Sequence, residues 1–477
     1  VKGDDARALS RLGYAQELFR SMGGFSSFAL SFSIISVLTG IFSTYTAGLR
    51  SGGPAGLALG WPLVSVGTML VAMAMGELAS AFPTAGALYH WSALLGGAGA
   101  GWFTAMMNLV GQVAIVAAID LTCAETAITT FAIPLRSPYL LFAAILASHA
   151  LLNIASIRLV AWLNSFSATL HVVGVVVLVT ALLAFGRAEP LSFLTHPRVT
   201  QRPDGVYAIG FVQSLIVGMW TFTGFDASAH ASEETHRPEW RAPWGIVMAV
   251  GVSAVAGFGV IVGLTLAIRD LPSALANGNV ETLVLEGSLG ARAATSAMTM
   301  VVLAMWFCGL SSVTSASRTL YAFARDGGLP ASRVVRRVGT RFRTPHVAIL
   351  IAVALPLALV ATTAPFSAAV FLSVATLATT ALYVSYATPI VLGAVARSRG
   401  EWRRRGPWNL GGAGIPIAWA AAAWTACVLA VSALADTMSF CMLVSIVGAL
   451  FTLWRVRVRF IFRGPAIDLQ TFEREPR

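Results

Sequence analysis

WTFTGFDASAHASEET, from Trp220 to Thr235, puts acids into a stretch that otherwise reads as a membrane helix. Gly210 to Phe222 is apolar enough to lie in lipid, and Gly224, Asp226, His230, Glu233 and Glu234 follow within three turns. Ionisable groups at membrane depth cost several kcal/mol and face a bundle interior or a watery cavity, so the default reading of this stretch is a functional site.

Outward from it, the 477 residues are 57% hydrophobic and 11% charged, with a mean hydropathy of +0.76. A soluble domain carries roughly 25% charged residues. The composition describes an all-α polytopic integral membrane protein. Twelve apolar stretches near the ~20 residues needed to cross a bilayer are predicted. They lie at 23–49, 56–82, 99–131, 138–156, 160–185, 209–236, 242–268, 293–325, 345–364, 366–396, 413–436 and 438–460.

The net charge of +11 is an orientation signal, not a nucleic-acid footprint. Basic residues concentrate in alternate segments: Lys2 to Arg20, Arg237 and Arg241, Arg318 to Arg343, Arg397 to Arg405, and Arg455 to Arg463. The intervening outer segments hold fewer: Arg50, Arg136, Arg187, Arg198, Arg202, Arg269 and Arg292. The positive-inside rule then predicts cytoplasmic N- and C-termini in a plasma (inner) membrane, with a weak pull toward anionic lipid. The first twenty residues are polar and charged, and the first apolar run is too long for a signal-peptide core, so a retained helix is expected from Gly23 onward. Cys123, Cys308, Cys427 and Cys441 all fall in apolar stretches and are expected to be buried small hydrophobes, neither disulfides nor metal ligands.

The predicted stretches divide the chain. A cytoplasmic segment, 1–22, precedes five spans in 23–186, and a polar extracellular linker, 187–208, leads to five more in 209–397. A cytoplasmic loop, 398–412, two further spans in 413–460 and a tail, 461–477, complete it. Five is odd, so a second block sharing the fold of the first must sit upside down, which is the inverted repeat of many secondary transporters. The first span of each block agrees with this. SFSIISVLTGIFSTYTAG is interrupted at Ser33, Ser36, Thr39 and Gly40, and SLIVGMWTFTGFDASAH at Thr221, Thr223, Gly224 and Asp226, at about equal depth. Discontinuous spans 1 and 6 are therefore predicted. Unwound backbone in lipid must line a cavity or bind something. A half-helix starting near Gly40 would offer N–H donors to a carboxylate, and one ending near Phe222 would offer carbonyls to an ammonium group. Together they suit a zwitterion.

Three motifs carry a resemblance: Thr39-Gly40-Ile41-Phe42, GELASAFPTAGALYHW at Gly76–Trp91, and SRTLYAFARDGGLP at Ser317–Pro330. From about Leu18 to Arg397 the chain resembles the amino acid, polyamine and organocation transporter superfamily. Within it, SIISVLTGIFSTY and GFDASAHASEET are most similar to the amino acid/choline transporters, which include permeases for 4-aminobutyrate. The resemblance implies a LeuT-like five-plus-five fold and import of an amino acid or small amine by alternating access, coupled to a proton or to sodium, with no cofactor.

Candidate substrate contacts are Ser36, Thr39, Gly40 and Ile41 in span 1, Gln112 in span 3, and Phe222, Gly224, Phe225 and Asp226 in span 6. The phenyl rings of Phe222 and Phe225 could lie against an ammonium group. Asp226 has two readings, a cap on the second half-helix or a charge partner in the cavity. Glu233 and Glu234 are expected at the inner gate, or in ion pairs with Arg237 and Arg241. His171 lies near mid-depth of span 5. The resemblance implies a lysine at the matching place in many members, and a histidine there can titrate near physiological pH. A neutral imidazole held within the bundle is the other reading, and Ser311 and Ser312 are expected to flank the same site. Asp120 and Glu125 are expected toward the wet outer end of span 3, and Glu77 in a structural role.

Other classes fit poorly. The seven histidines form no H-E-x-x-H pair, Gly97-x-Gly99-x-Gly101 is not preceded by a strand as a nucleotide loop would be, and no carbonyl filter is repeated. An enzyme or a channel is disfavoured. Amino acid, 4-aminobutyrate, choline and polyamine all remain open as substrates, as does exchange.

Overall fold

The computed structural model describes residues 5, 9–196, 207–363, 370–465 and 469–474, which are helical almost throughout. The expected outer turn at 364–366, the linker residues 197–206 and parts of both terminal segments lie outside the described residues.

Among the described residues, nine helices are long and apolar enough to cross a membrane. The difference from the twelve expected stretches has a geometric cause. The first candidate, Gly24–Ala81, is 58 residues, about 87 Å at 1.5 Å per residue, far more than one ~30 Å bilayer core. It comprises α1 (Gly24–Ile35) and α2 (Val37–Ala81), and α2 turns at Gly53, whose φ of 63° is outside the helical region and is followed by Pro54. Two other expected spans are present as shorter apolar helices, Tyr139–Ala155 and Tyr207–Thr221. The third begins earlier than expected: α3 (Leu88–Thr130) turns at Gly97 (φ 83°), so the glycine run is a bend within a helix.

The remaining elements that position the site are α4 (Tyr139–Ala155), α5 (Ile157–Ala181), α6 (Tyr207–Ser214), α7 (Ile216–Thr221), α8 (Ala227–His230), α9 (Pro238–Leu266), α10 (Val280–Leu289), α11 (Ala291–Arg325), α12 (His346–Thr363), α13 (Val370–Ser398), α14 (Gly414–Ala435) and α15 (Thr437–Leu453). α1 packs against α9, α5 and α11, while α13 lies along α3 and α9 along α2.

Polarity runs inside out. α5 buries Asn164, Ser167 and His171 and exposes Val172, Val173, Val176 and Val177. A helix that hides its polar face and shows its valines is solvated by hydrocarbon. Cys123 and Cys308 are buried, but Cys427 and Cys441 are exposed on α14 and α15, against the expectation that all four are interior.

Candidate functional site

Both first helices of the two blocks break, and the breaks meet. α1 ends at Ile35, Ser36 takes left-handed backbone angles (φ 35°, ψ 80°), and α2 starts at Val37. The start is one turn earlier than Gly40, whose N–H is already used by the Ser36 carbonyl at 2.9 Å. The first-turn donors are therefore those of Val37, Leu38 and Thr39, and the expected role of the Gly40 and Ile41 amides as anion donors does not hold. Gly40 acts through its missing side chain: a Cβ there would sit 2.2 Å from Thr221 Oγ1, at the end of α7. On the other side Gly224, with φ 79°, lies so close to α1 that a Cβ would meet Ile34 Cγ2 at 2.2 Å.

His171 joins the first break directly. Its Nδ1 lies 2.9 Å from the Ser167 carbonyl, and its Nε2 2.8 Å from Ser36 Oγ. A carbonyl only accepts, so Nδ1 carries the hydrogen, and in the neutral ring Nε2 accepts from the Ser36 hydroxyl. Ser36 Oγ also accepts from the Thr39 N–H at 3.3 Å and lies 2.5 Å from Thr39 Oγ1. A proton on Nε2 would reverse the bond to Ser36 and turn its hydroxyl toward Thr39. Ser311 and Ser312 make their hydrogen bonds to groups other than the ring. Ser311 bonds Asn164 Oδ1 at 2.8 Å, and Ser312 bonds the Cys308 carbonyl at 2.9 Å.

Asp226 does not cap α8. It stands at the N-cap position, but its side chain makes no capping bond. The Ser228 N–H is taken by Ser31 Oγ of α1 at 2.9 Å, and Ser31 Oγ lies 2.7 Å from the Phe225 carbonyl. A neighbouring helix supplies the cap, which frees the aspartate to turn inward. Tyr386 OH donates to Asp226 Oδ1 at 2.9 Å, His230 Nε2 lies 3.0 Å from Oδ2, and Asn108 Nδ2 reaches Oδ2 at 3.4 Å. Tyr386 OH accepts in turn from the Gly224 N–H at 3.1 Å. The aromatic wall divides: Phe222 packs on Trp61 of α2 at 4.9 Å and Phe225 on Tyr386 at 5.0 Å. Gln112 donates to Ser315 Oγ at 2.8 Å, linking α3 to α11.

Glu233 and Glu234 pair with Arg325 and Arg318 of α11, not with Arg237 and Arg241. Both pairs are two-pronged, at 2.9 Å for Glu233 and 3.0 Å for Glu234. The Ala85 N–H adds a bond to Glu233 Oε1 at 3.1 Å. Met22 bridges Thr235, Gln16 donates to the Glu233 carbonyl and Arg20 to the Ser232 carbonyl. The N-terminal segment thus closes this Arg-rich end. Beside it, burial raises the Asp326 carboxyl, but hydrogen bonds from His90 and Tyr14 and the charge of Arg325 outweigh that and hold it below the usual carboxylate range.

Asp120 departs from its expected wet position. It is fully buried, 3.1 Å from His149 Nδ1. Glu125 is exposed, and Glu77 is held by Arg397 and the Leu410 N–H. His230 was legible as the residue four after Asp226, one helical turn on; Tyr386 had no local signal.

A family model described as amino acid permease matches residues 22–455. An amino-acid permease BAT1 homolog of Oryza sativa subsp. japonica is 36% identical, over 98% of this chain and 96% of its own length. Amino-acid permease BAT1 of Arabidopsis thaliana is 35% identical, over 97% of this chain and 96% of its own. The GABA-specific permease of Saccharomyces cerevisiae is 29% identical, over 73% of this chain and 64% of its own.

Proposed function

The chain belongs to the amino acid permease family of the amino acid, polyamine and organocation superfamily, transporters and not enzymes, and from that premise we propose that it imports an amino acid or related small amine, such as 4-aminobutyrate, by proton symport. The family implies the LeuT-like fold. On this reading Gly24–Ala81 crosses twice about Gly53, the two shorter helices complete twelve crossings, and both termini lie in the cytoplasm of a plasma (inner) membrane. The substrate carboxylate meets the first-turn donors of α2, and its ammonium group meets carbonyls at the end of α7.

The observation that carries proton coupling is the His171 Nε2 to Ser36 Oγ contact at 2.8 Å. Protonation of the ring reverses that bond and turns the Ser36 hydroxyl toward Thr39 at the start of α2, where the carboxylate is received. Charge on His171 and occupancy of the first break are thereby linked. The Glu233–Arg325 and Glu234–Arg318 pairs act as the inner gate, which opens as one bundle rocks against the other.

Two measurements test this. Thermal-shift screening of the purified protein against amino acids, 4-aminobutyrate, choline and polyamines identifies the substrate, because a ligand of the native state raises its apparent stability. Uptake of the hit into proteoliposomes is then expected under an inward proton gradient without sodium; drive by sodium alone rejects the coupling. His171→Gln is expected to change the pH dependence of uptake, and an unchanged pH profile rejects the residue's role.

A further inference from the structure

The Asp226–His230 pair sits between the second break and the inner ion pairs, and its surroundings suit two charge states. His230 Nε2 faces Asp226 Oδ2 at 3.0 Å, and both residues are buried. His230 Nδ1 has two partners of opposite kind: Thr319 Oγ1 at 3.1 Å, which can donate, and the Ala85 carbonyl at 3.2 Å, which only accepts. In the neutral ring Nε2–H points to Asp226 and Nδ1 accepts from Thr319. In the imidazolium Nε2–H still points to Asp226 and Nδ1–H donates to Ala85. Both ring nitrogens keep a partner in either state, whereas an environment built for one state strands a ring nitrogen in the other.

We propose that His230, paired with Asp226, is a second proton-binding site of the transporter, loading from the substrate site and discharging toward the Arg-rich end. The proposal rests on the symport reading and adds a residue and a stoichiometry to it. The step balances simply: Nδ1 gains or loses one proton, and the pair alternates between net charge zero and net charge minus one. In a closed, buried site the neutral ion pair is favoured over a lone carboxylate. Water admitted when the inner pairs part removes that preference and lets the proton leave.

The surrounding groups are consistent with the pair acting as a unit. α13 contributes Tyr386, with the Tyr383 ring tilted against it at 5.6 Å, and α3 contributes Asn108. α11 contributes Thr319, whose neighbour Arg318 is neutralised by Glu234. α1 and α9 face this turn with Ser31 and Gly245. Ala85, whose carbonyl accepts from Nδ1–H of the imidazolium, also donates its own N–H to Glu233, so a single residue joins the pair to the gate.

The full chain in proteoliposomes, with radiolabelled 4-aminobutyrate as probe, tests this. His230→Gln is expected to lower the proton-to-substrate ratio, read from the reversal potential, by one relative to wild type. Thr319→Val removes the donor to the neutral ring alone, so it is expected to move the pH midpoint of uptake upward by roughly half a unit to one unit. It keeps the shape of the side chain and guards against a His230 variant that fails to fold. An unchanged ratio in the first variant, or an unmoved midpoint in the second, overturns the proposal. Wild type that takes up the ligand identified by thermal-shift screening, but not under a proton gradient, rejects the symport reading instead. In that case NMR titration of the substrate-free protein between pH 5 and 8 still decides the inference: a His230 ring that takes up no proton overturns it.

Discussion

Gly40 shows how one hydrogen atom in place of a methyl group sets the geometry of the site. With its Cβ position 2.2 Å from Thr221 Oγ1 and 2.6 Å from Thr221 Cβ, Gly40→Ala must push the two breaks apart. Overpacking of this kind costs about 1–3 kcal/mol. A lower melting temperature and loss of uptake are expected, and adding Thr221→Gly should recover both, because it clears the obstructing atoms. No recovery in the double variant would show that the two breaks do not depend on that approach. The same residue marks the limit of reading sequence. Gly40 and Gly224 were visible as breaks because glycine interrupts an apolar run. That α2 starts at Val37 was not visible, since the left-handed turn falls on Ser36, a residue whose backbone preference gives no such warning. Asp226 was visible as a costly acid, but its release from capping depends on Ser31, nearly two hundred residues away in the chain.

At the scale of elements, α8 is four residues long and is stable only through what holds it. Ser31 accepts from its Ser228 N–H, Ser228 Oγ reaches back to the Ser27 carbonyl at 2.6 Å, and the two ion pairs fix the turn that follows it, Ser232–Glu234, to α11. The pairs are unequal. Glu234 and Arg318 are both fully buried, whereas Arg325 keeps 10% of its side chain exposed. Removing one partner of a buried pair strands the other, at a cost of about 3–5 kcal/mol. Glu234→Ala is therefore expected to lower the apparent melting temperature more than Glu233→Ala. The double variant Glu234→Gln with Arg318→Met should lose less than the sum of its single changes. Additive losses would mean the charges do not interact. Sequence reasoning gave these glutamates the nearest arginines, Arg237 and Arg241, because proximity along the chain is all it sees. Arg318 and Arg325 lie on a helix that packs here only in the folded bundle.

Over the whole molecule, one carboxylate helps Arg50 to fasten the part of α2 that precedes Gly53. Glu281 of α10 accepts from the Thr46 N–H at 3.1 Å and from Thr46 Oγ1 at 2.9 Å, and Thr46 Oγ1 accepts from the Val280 N–H at 3.0 Å. Burial pushes the Glu281 carboxyl up to about 7 from 4.5, despite the opposing bonds from Thr46. The folded protein therefore keeps a proton across that window that the unfolded chain has already lost. The resulting stability is fully present below about pH 4.5 and is lost as the pH rises through about 7. Apparent thermal stability in detergent is expected to fall over this interval in wild type and to stay flatter in Glu281→Gln. Identical slopes would exclude Glu281 as the cause. The apolar stretches, the two breaks and the family were legible in the sequence, because hydropathy and glycine act locally. The hydrogen-bonded networks were not, because their members come from α1, α3, α8, α11 and α13 at once.

Ser36 also gives the bundle a mechanical property. α1 has 12 residues, a rod about 18 Å long, joined to α2 through one left-handed residue. Its serines are stitched to α8, so the two half-helices swing together as a single lever arm. A rotation of about 10° about Ser36 carries the far end of an ~18 Å rod through about 3 Å, the length of a hydrogen bond. The leverage is lopsided. His171 holds the pivot, where displacement is least, and the ion pairs of α11 hold the tip, where it is greatest. On the proposed proton coupling, a change of charge at the pivot would be read out as the breaking of bonds at the rim.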